Sequence, residues 1–378
     1  MAEIRVEHLR KAFESFVAVE DSTFTVADGE FFVMLGPSGC GKTTTLRMIA
    51  GLELPTSGTI LLGGEDVTFK RARERDIAFV FQLFALYPHM NVRANIAFPL
   101  KCEGLPGAEI GARVEEAARI LRISHLLDRS VSGLSSGDRQ RVALGRSIVR
   151  KPLAFLMDEP LGALDTELRE AMIHELRALH DRLGATTVYV THDQLEAMAM
   201  ADKIAVMNRG IIEQFGAPRD IYDRPASLFV ADFIGQPSMN LIDFRASLAP
   251  GASELALGGA RVAMPELRMG CPERDLVLGV RPEGVRLDDA SPLRGEVFGA
   301  EYLGTTQIVT VTTAHGAVRA RLPASLKVNA GEPVGLSFRP EKLSIFDRAS
   351  GRALPSALHD IPYAPRPSSI KHAGGLHG

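Results

Sequence analysis

The sequence predicts an α/β unit built on a parallel sheet, followed by a smaller all-β domain. Three observations predict it. Short apolar runs that end in polar residues recur at 30–35, 76–81, 153–157 and 186–191, the pattern of buried parallel strands. Helical periodicity fills the intervals, as in Leu168, Met172, Leu176, Leu179 and Leu183. Past residue 235 that periodicity fades, and short strands between glycine and proline turns take over. A length of 378 residues suits two or three domains.

The strand at 30–35 (EFFVML) leads into GPSGCGKTT and then into a helix-like run at 46–50. Strand, glycine loop and helix in that order are the context of a phosphate-binding loop. Gly36, Pro37, Ser38, Gly39, Cys40 and Gly41 would let backbone N–H groups converge on phosphate oxygens. Lys42 adds a positive charge, the Thr43 hydroxyl suits Mg²⁺, and Thr44 closes the motif. The strand at 76–81 presents Gln82, an amide able to touch both metal and water.

The run LAFLM at 153–157 ends in Asp158-Glu159-Pro160, which places two carboxylates at the sheet edge where α/β folds bind ligands. Asp158 is then a candidate metal ligand, and Glu159 a candidate base toward a water beside the terminal phosphate. Such a pair also serves as a helix cap when it stands alone. The strand at 186–191 delivers His192 to the same edge.

The order GPSGCGKTT, Gln82, LSSGDRQRVALGRS from Leu134 to Ser147, LAFLMDEP, LGALD from Leu161 to Asp165, and His192 resembles the nucleotide-binding domain of ATP-binding cassette (ABC) transporters. The resemblance covers about residues 3 to 235 and implies a P-loop NTPase fold with a helical subdomain. It implies that Ser135, Ser136 and Gly137 meet the γ-phosphate held by a partner subunit, so that ATP is shared across a homodimer. It further implies that Phe13 stacks on adenine, with Phe16 a rival and a core role the alternative. Asp165 would link the two active sites, and Gln82 would relay nucleotide state to membrane subunits. His192 would hold γ-phosphate and base in register. Residues 84–98 and the stretch Ile110, Val114, Ala117, Leu121 would form the helical subdomain.

Two departures stand out. The usual signature is Leu-Ser-Gly-Gly-Gln, whereas here Ser136 replaces a glycine and Asp138 the glutamine. A carboxylate near polyphosphate is electrostatically unfavourable, although Asp138 at a helix start suits the helix dipole. Gly162 stands where the subunit-linking loop commonly has a serine.

A formal net charge of −3 argues against bulk nucleic-acid binding, and the cationic run from Lys70 to Arg75 reads as a solvated face. Three unpatterned cysteines argue against a disulfide framework. Cys40, beside a helix N-terminus, is expected to have a lowered thiol pKa, so that alkylation would block ATP binding. The amino terminus has no secretory pattern, and no window approaches the apolar length of a spanning helix. The expectation is a subunit peripheral to the cytoplasmic face of the cell membrane.

In the second part, strands are expected at 276–280, 307–311, 318–322 and 334–338, forming a small barrel. The phrase apolar-Arg-Pro-Glu occurs at 280–283 and again at 338–341, hinting at two related halves. This part resembles the paired oligonucleotide/oligosaccharide-fold (OB, or TOBE) regulatory domain of ATPase subunits of carbohydrate, polyol and glycerol-phosphate importers. The hinge phrase of those subunits is matched by Gly235 to Asn240. The expected division is therefore a nucleotide-binding domain at 1–235, a regulatory domain at 236–350 and a disordered tail at 351–378.

The two resemblances together imply an ATPase subunit of an importer. It would use ATP and Mg²⁺, work as a homodimer beneath two membrane permease subunits, and be fed indirectly by a solute-binding protein. Spermidine, putrescine or iron importers remain alternatives. Readings of another class are a soluble ABC-type ATPase and a weakly active regulatory binding subunit.

Overall fold

A computed structural model describes residues 2–81, 85–162 and 164–360. They form two compact units, with the division after Pro218. The first unit contains, in chain order, β1 (Ile4–Ala12), β2 (Val17–Val26), β3 (Phe31–Leu35), α1 (Lys42–Ile49), β4 (Ser57–Leu62), β5 (Glu65–Asp66) and β6 (Ile77–Val80). Then come α2 (Val92–Cys102), α3 (Gly107–Ile120), α4 (Ser136–Ile148), β7 (Ala154–Asp158), α5 (Thr166–Leu183), β8 (Thr186–Thr191), α6 (Gln194–Met200), β9 (Lys203–Asn208) and β10 (Ile211–Gly216).

Ten strands make one sheet in the order β5-β4-β1-β2-β10-β9-β3-β8-β7-β6. The segment from β9 to β6 is parallel, and its register sets Leu35 against Thr191, Asp158 against Val190, and Val80 against Met157. The carboxyl ends of β3, β8, β7 and β6 therefore finish level. That edge is where the four polar strand ends were expected. Strands β3, β7 and β8 are buried along their whole length, which is why they read as continuous apolar runs.

Helices α2, α3 and α4 pack together as a helical subdomain, with Val114, Ala117 and Leu121 buried between them. Ile110 of the same stretch stays half-buried.

The run from Lys70 to Arg75 departs from expectation at its last residue. Arg71 and Arg73 are exposed, but Arg75 is only 1% exposed. Its guanidinium donates to the carbonyls of Met48 and Ile49 at 2.7 Å, of Lys70 at 2.9 Å and of Thr68 at 3.0 Å. The last carbonyls of a helix have no intrahelical donor, and Arg75 supplies one for α1.

The second unit holds α7 (Pro218–Asp223), α8 (Leu228–Phe233) and ten strands. These are β11 (Asn240–Leu248), β12 (Glu254–Leu257), β13 (Ala260–Ala263), β14 (Cys271–Val280), β15 (Val285–Leu287), β16 (Arg294–Tyr302), β17 (Thr306–Thr313), β18 (Gly316–Pro323), β19 (Pro333–Phe338) and β20 (Leu343–Asp347). A three-stranded sheet β11-β14-β20, a hairpin β12-β13 and a five-stranded sheet β15-β19-β16-β17-β18 share one apolar core.

All four strands expected in this part are present. Each Arg-Pro-Glu phrase makes a single 3₁₀ turn between two strands, at Pro282–Gly284 and Pro340–Lys342, and the Arg339 N–H donates to the Gly284 carbonyl at 2.9 Å.

Residues 351–360, expected to begin a disordered tail, are ordered. The Leu354 N–H donates to the Ile345 carbonyl at 2.7 Å, Leu267 pairs with Ser356, and a 3₁₀ turn covers Ala357–Asp360. Pro355 takes part in this order, its carbonyl accepting from the Arg268 N–H at 2.9 Å.

Candidate active site

The loop after β3 keeps its glycines for a backbone reason. Gly41, at φ 108°, caps α1, and a Cβ there would stand 2.5 Å from the Ala18 carbonyl. With glycine at the cap, no side chain hydrogen-bonds the first turn of α1, so its N–H groups are available to an anion. Lys42, 4% exposed, donates to the carbonyls of Gly36 at 2.8 Å and Pro37 at 2.9 Å, which bends the ammonium over the loop. Ser38 and Gly39 form the exposed rim, while Thr43 and Thr44 are half-buried.

Cys40 corrects the sequence expectation. Its thiol is buried, and burial pushes its pKa up, against the opposing pull of Lys42. It is a packed side chain of the first unit's core. Proximity to a helix N-terminus loses here to desolvation.

At the end of β7, Asp158 Oδ1 accepts from the Thr43 hydroxyl at 2.9 Å. Burial raises the Asp158 pKa despite that bond and the nearby Arg47 charge. Two hard oxygen donors so placed fit Mg²⁺, which takes one or two protein oxygens and completes its shell with phosphate and water. No group of three or more His, Cys, Asp or Glu that could hold a metal occurs among the described residues.

Glu159 adopts φ 44°, uncommon for a non-glycine residue, and its N–H is held by the Val190 carbonyl at 3.0 Å. That turn aims its carboxylate at His192, whose Nδ1 lies 3.1 Å from Glu159 Oε2. Gln82 lies outside the described residues.

Sequence reasoning missed the support beneath His192. Glu196 is buried and accepts from Tyr189 OH at 2.8 Å and from the Thr191 hydroxyl at 2.7 Å. Arg169 of α5 donates to the Leu164 carbonyl at 2.9 Å and meets Asp193 at 3.4 Å, joining the loop of Asp165 to the loop of His192. The available signal was Asp193 followed three residues later by Glu196, a helix-start pattern. Asp193 does cap α6, accepting from the Leu195 N–H at 2.8 Å.

A second cluster gathers the remaining expected residues. Ser135 caps α4, and Asp165 caps α5 by accepting from the Leu168 N–H at 2.9 Å. Gly137 brings the two helix starts side by side, because a Cβ there would stand 2.8 Å from Leu168 Cδ2. Ser136 is half-buried beside it.

Phe13 and Phe16 stack with centroids 5.2 Å apart, and they are 40% and 58% exposed. Neither is a core residue, so both rings remain open to a planar partner, and the Lys11 ammonium sits 4.8 Å from the Phe13 centroid.

Comparison with known proteins gives the family. The ABC transporter family model matches residues 19–162, and the TOBE domain model matches residues 278–346. The trehalose/maltose import ATP-binding protein MalK of Thermococcus litoralis is 45% identical, over 94% of this chain and 100% of its own length. The trehalose import ATP-binding protein SugC of Mycobacterium tuberculosis is 45% identical, over 94% and 98%. The sn-glycerol-3-phosphate import ATP-binding protein UgpC of Paracoccus denitrificans is 44% identical, over 94% and 99%. Among solved structures, cbiO1 of Clostridium perfringens, part of the ABC transporter complex cbiONQ, superposes with a TM-score of 0.55 at 28% identity, covering 58% of this chain and 89% of that one.

A phosphate loop, a buried metal-type oxygen pair and a carboxylate–histidine pair on one sheet edge, followed by a TOBE domain, thus place the chain among the import ATP-binding subunits of the ABC transporter family, which are ATPases.

Proposed function

We propose that this chain powers uptake of a sugar, a polyol or sn-glycerol-3-phosphate. It would act as a homodimer on the cytoplasmic face of two permease subunits that receive the solute from a binding protein. The names of the relatives support this solute class over polyamines or iron. The absence of any helix long and apolar enough to cross a membrane, among the described residues, is consistent with separate permease chains.

The observation that carries the dimer is the separation of polar groups into two clusters. One, around Lys42, Thr43, Asp158, Glu159 and His192, suits the phosphates, the metal and the attacking water. The other, around Ser135, Gly137 and Asp165, lies where the starts of α4 and α5 meet, with the Ser135 and Asp165 side chains exposed. A second copy supplies the missing half to each.

In this reading the loop N–H groups and Lys42 hold the phosphates, and Phe13 stacks on adenine. Mg²⁺ held by Thr43 and Asp158 would neutralise phosphate charge, with Gln82 completing its surroundings. Glu159 takes the proton of the attacking water, and His192 orients that carboxylate. Residues 236–350 act as the regulatory domain.

Two measurements test the reading. A Glu159→Gln chain should dimerise when ATP is added, as seen by sedimentation, and Ser135→Ala should raise the ATP concentration this takes. ATP-driven dimerisation indifferent to Ser135 would remove the composite site. Growth of a deletion strain on a carbon-source panel identifies the solute. Unimpaired growth on every sugar, polyol and glycerol phosphate would refute that class.

A further inference from the structure

A serine hydroxyl has one proton to give. In this chain it is committed: Ser135 Oγ donates to Asp138 Oδ2 at 2.8 Å while accepting from the Asp138 N–H at 3.2 Å. An ionised phosphate oxygen only accepts, so a Ser135 that bonds a phosphate must give it that same proton. The two bonds exclude each other. The carboxylate would also repel the phosphate at close range. The carboxylate has a second partner that would keep it when the Ser135 bond breaks, because Arg141, one turn along α4, already lies 3.5 Å from Asp138 Oδ1 and is anchored at 3.3 Å to Glu175 of α5.

Resting on the composite-site reading, we infer that Asp138 is a latch on ATP-driven closure of the dimer. It holds the Ser135 proton in the open subunit and must release it, keeping Arg141, before Ser135 can donate to the γ-phosphate bound by the partner. Asp138 acts through Ser135 and is a positioning residue: it sets the ATP concentration at which the subunits close, and leaves the hydrolytic step to Glu159. A neutral glutamine, the usual residue of the family at this place, holds no such charge.

The test uses the full chain carrying Glu159→Gln and reads the ATP concentration for half-maximal dimerisation by sedimentation. Asp138→Ala frees the proton yet keeps the backbone N–H that Ser135 caps. It should lower that concentration about tenfold, since hydrogen bonds to charged groups are among the stronger ones. Asp138→Asn, a neutral acceptor in the same place, should fall in between. The shift should vanish when Ser135→Ala is already present, which a purely structural role for Asp138 would not produce. In the hydrolysing chain, Asp138→Ala should lower KM for ATP with kcat nearly unchanged.

The latch is overturned if Asp138→Ala leaves half-saturation unchanged or raises it while Ser135→Ala still impairs closure. It is equally overturned if the shift persists without Ser135. If Ser135→Ala alone leaves closure intact, the composite site itself fails and the latch falls with it.

Discussion

Among the described residues, each unit holds an arginine that is almost wholly buried, and the two are used differently. Arg75 and Arg281 are both 1% exposed, and burial lowers the pKa of each. Both spend their donors on backbone carbonyls, including those at helix ends. Arg75 ties down the end of α1, the helix whose start carries Lys42 and Thr43. Arg281 reaches the Tyr222 carbonyl at 2.9 Å, the Ala231 carbonyl at 3.2 Å and the Ile234 carbonyl, fastening α7 and α8 to the strand β14. The first arginine therefore supports the helix that carries the candidate phosphate-binding residues, and the second closes the fold of its own unit.

The carboxylates repeat the contrast. Asp158 is held in a site that disfavours its charge, whereas Arg274 and the Ser350 N–H pull Asp347 down to about 2. Desolvation therefore dominates at Asp158, and hydrogen bonds from Arg274 and Ser350 dominate at Asp347.

The sharpest test of that contrast is Glu159→Gln. A positioned base contributes about 10²–10⁴-fold, so ATP turnover should fall by that factor while ATP binding and the melting temperature stay near those of the parent. Next comes Arg281→Ala, which leaves several buried carbonyls without donors. It should destabilise the second unit by about 3 kcal/mol, measured by denaturant unfolding, with nucleotide binding to the first unit preserved. Loss of ATP affinity in this variant would break the contrast.

Arg75→Ala should cost about 2 kcal/mol in the first unit and, unlike Arg281→Ala, should also weaken ATP binding several-fold, read by calorimetry.

The smallest expected effect concerns pH. Because the folded pKa of Asp158 is raised above its unfolded value, its contribution to stability falls as pH rises from about 4 through the folded value. The depressed pKa of Asp347 gives the opposite sign, with stability present above about 4 and lost as pH falls toward 2. Asp158→Asn should therefore raise the melting temperature of the nucleotide-free protein slightly at pH 7 while abolishing turnover. A lower melting temperature would show that Asp158 is held for stability.

How much of this was legible depended on how far apart the partners lie in the chain. The phosphate loop and the strand ends at Asp158 and His192 were readable because each follows an apolar run directly. Cys40 was misjudged because the sequence shows its helix N-terminus but not the core that closes over it. Arg75 read as part of a solvated charge run and Arg281 only as part of a repeated phrase, since the carbonyls they serve lie 27 and 59 residues away at their farthest. The ordering of 351–360 likewise depends on Ile345 and Leu267, which offer strand edges only once the barrel has formed.

The sequence by itself determined the elements and the chemistry, because backbone propensity, apolar period and glycine placement act over a few neighbouring residues. The tertiary structure alone decided which charges are buried, which protons are committed and which carbonyls are served. Those depend on solvent exclusion and on partners from distant segments, and both arise only when the chain has packed.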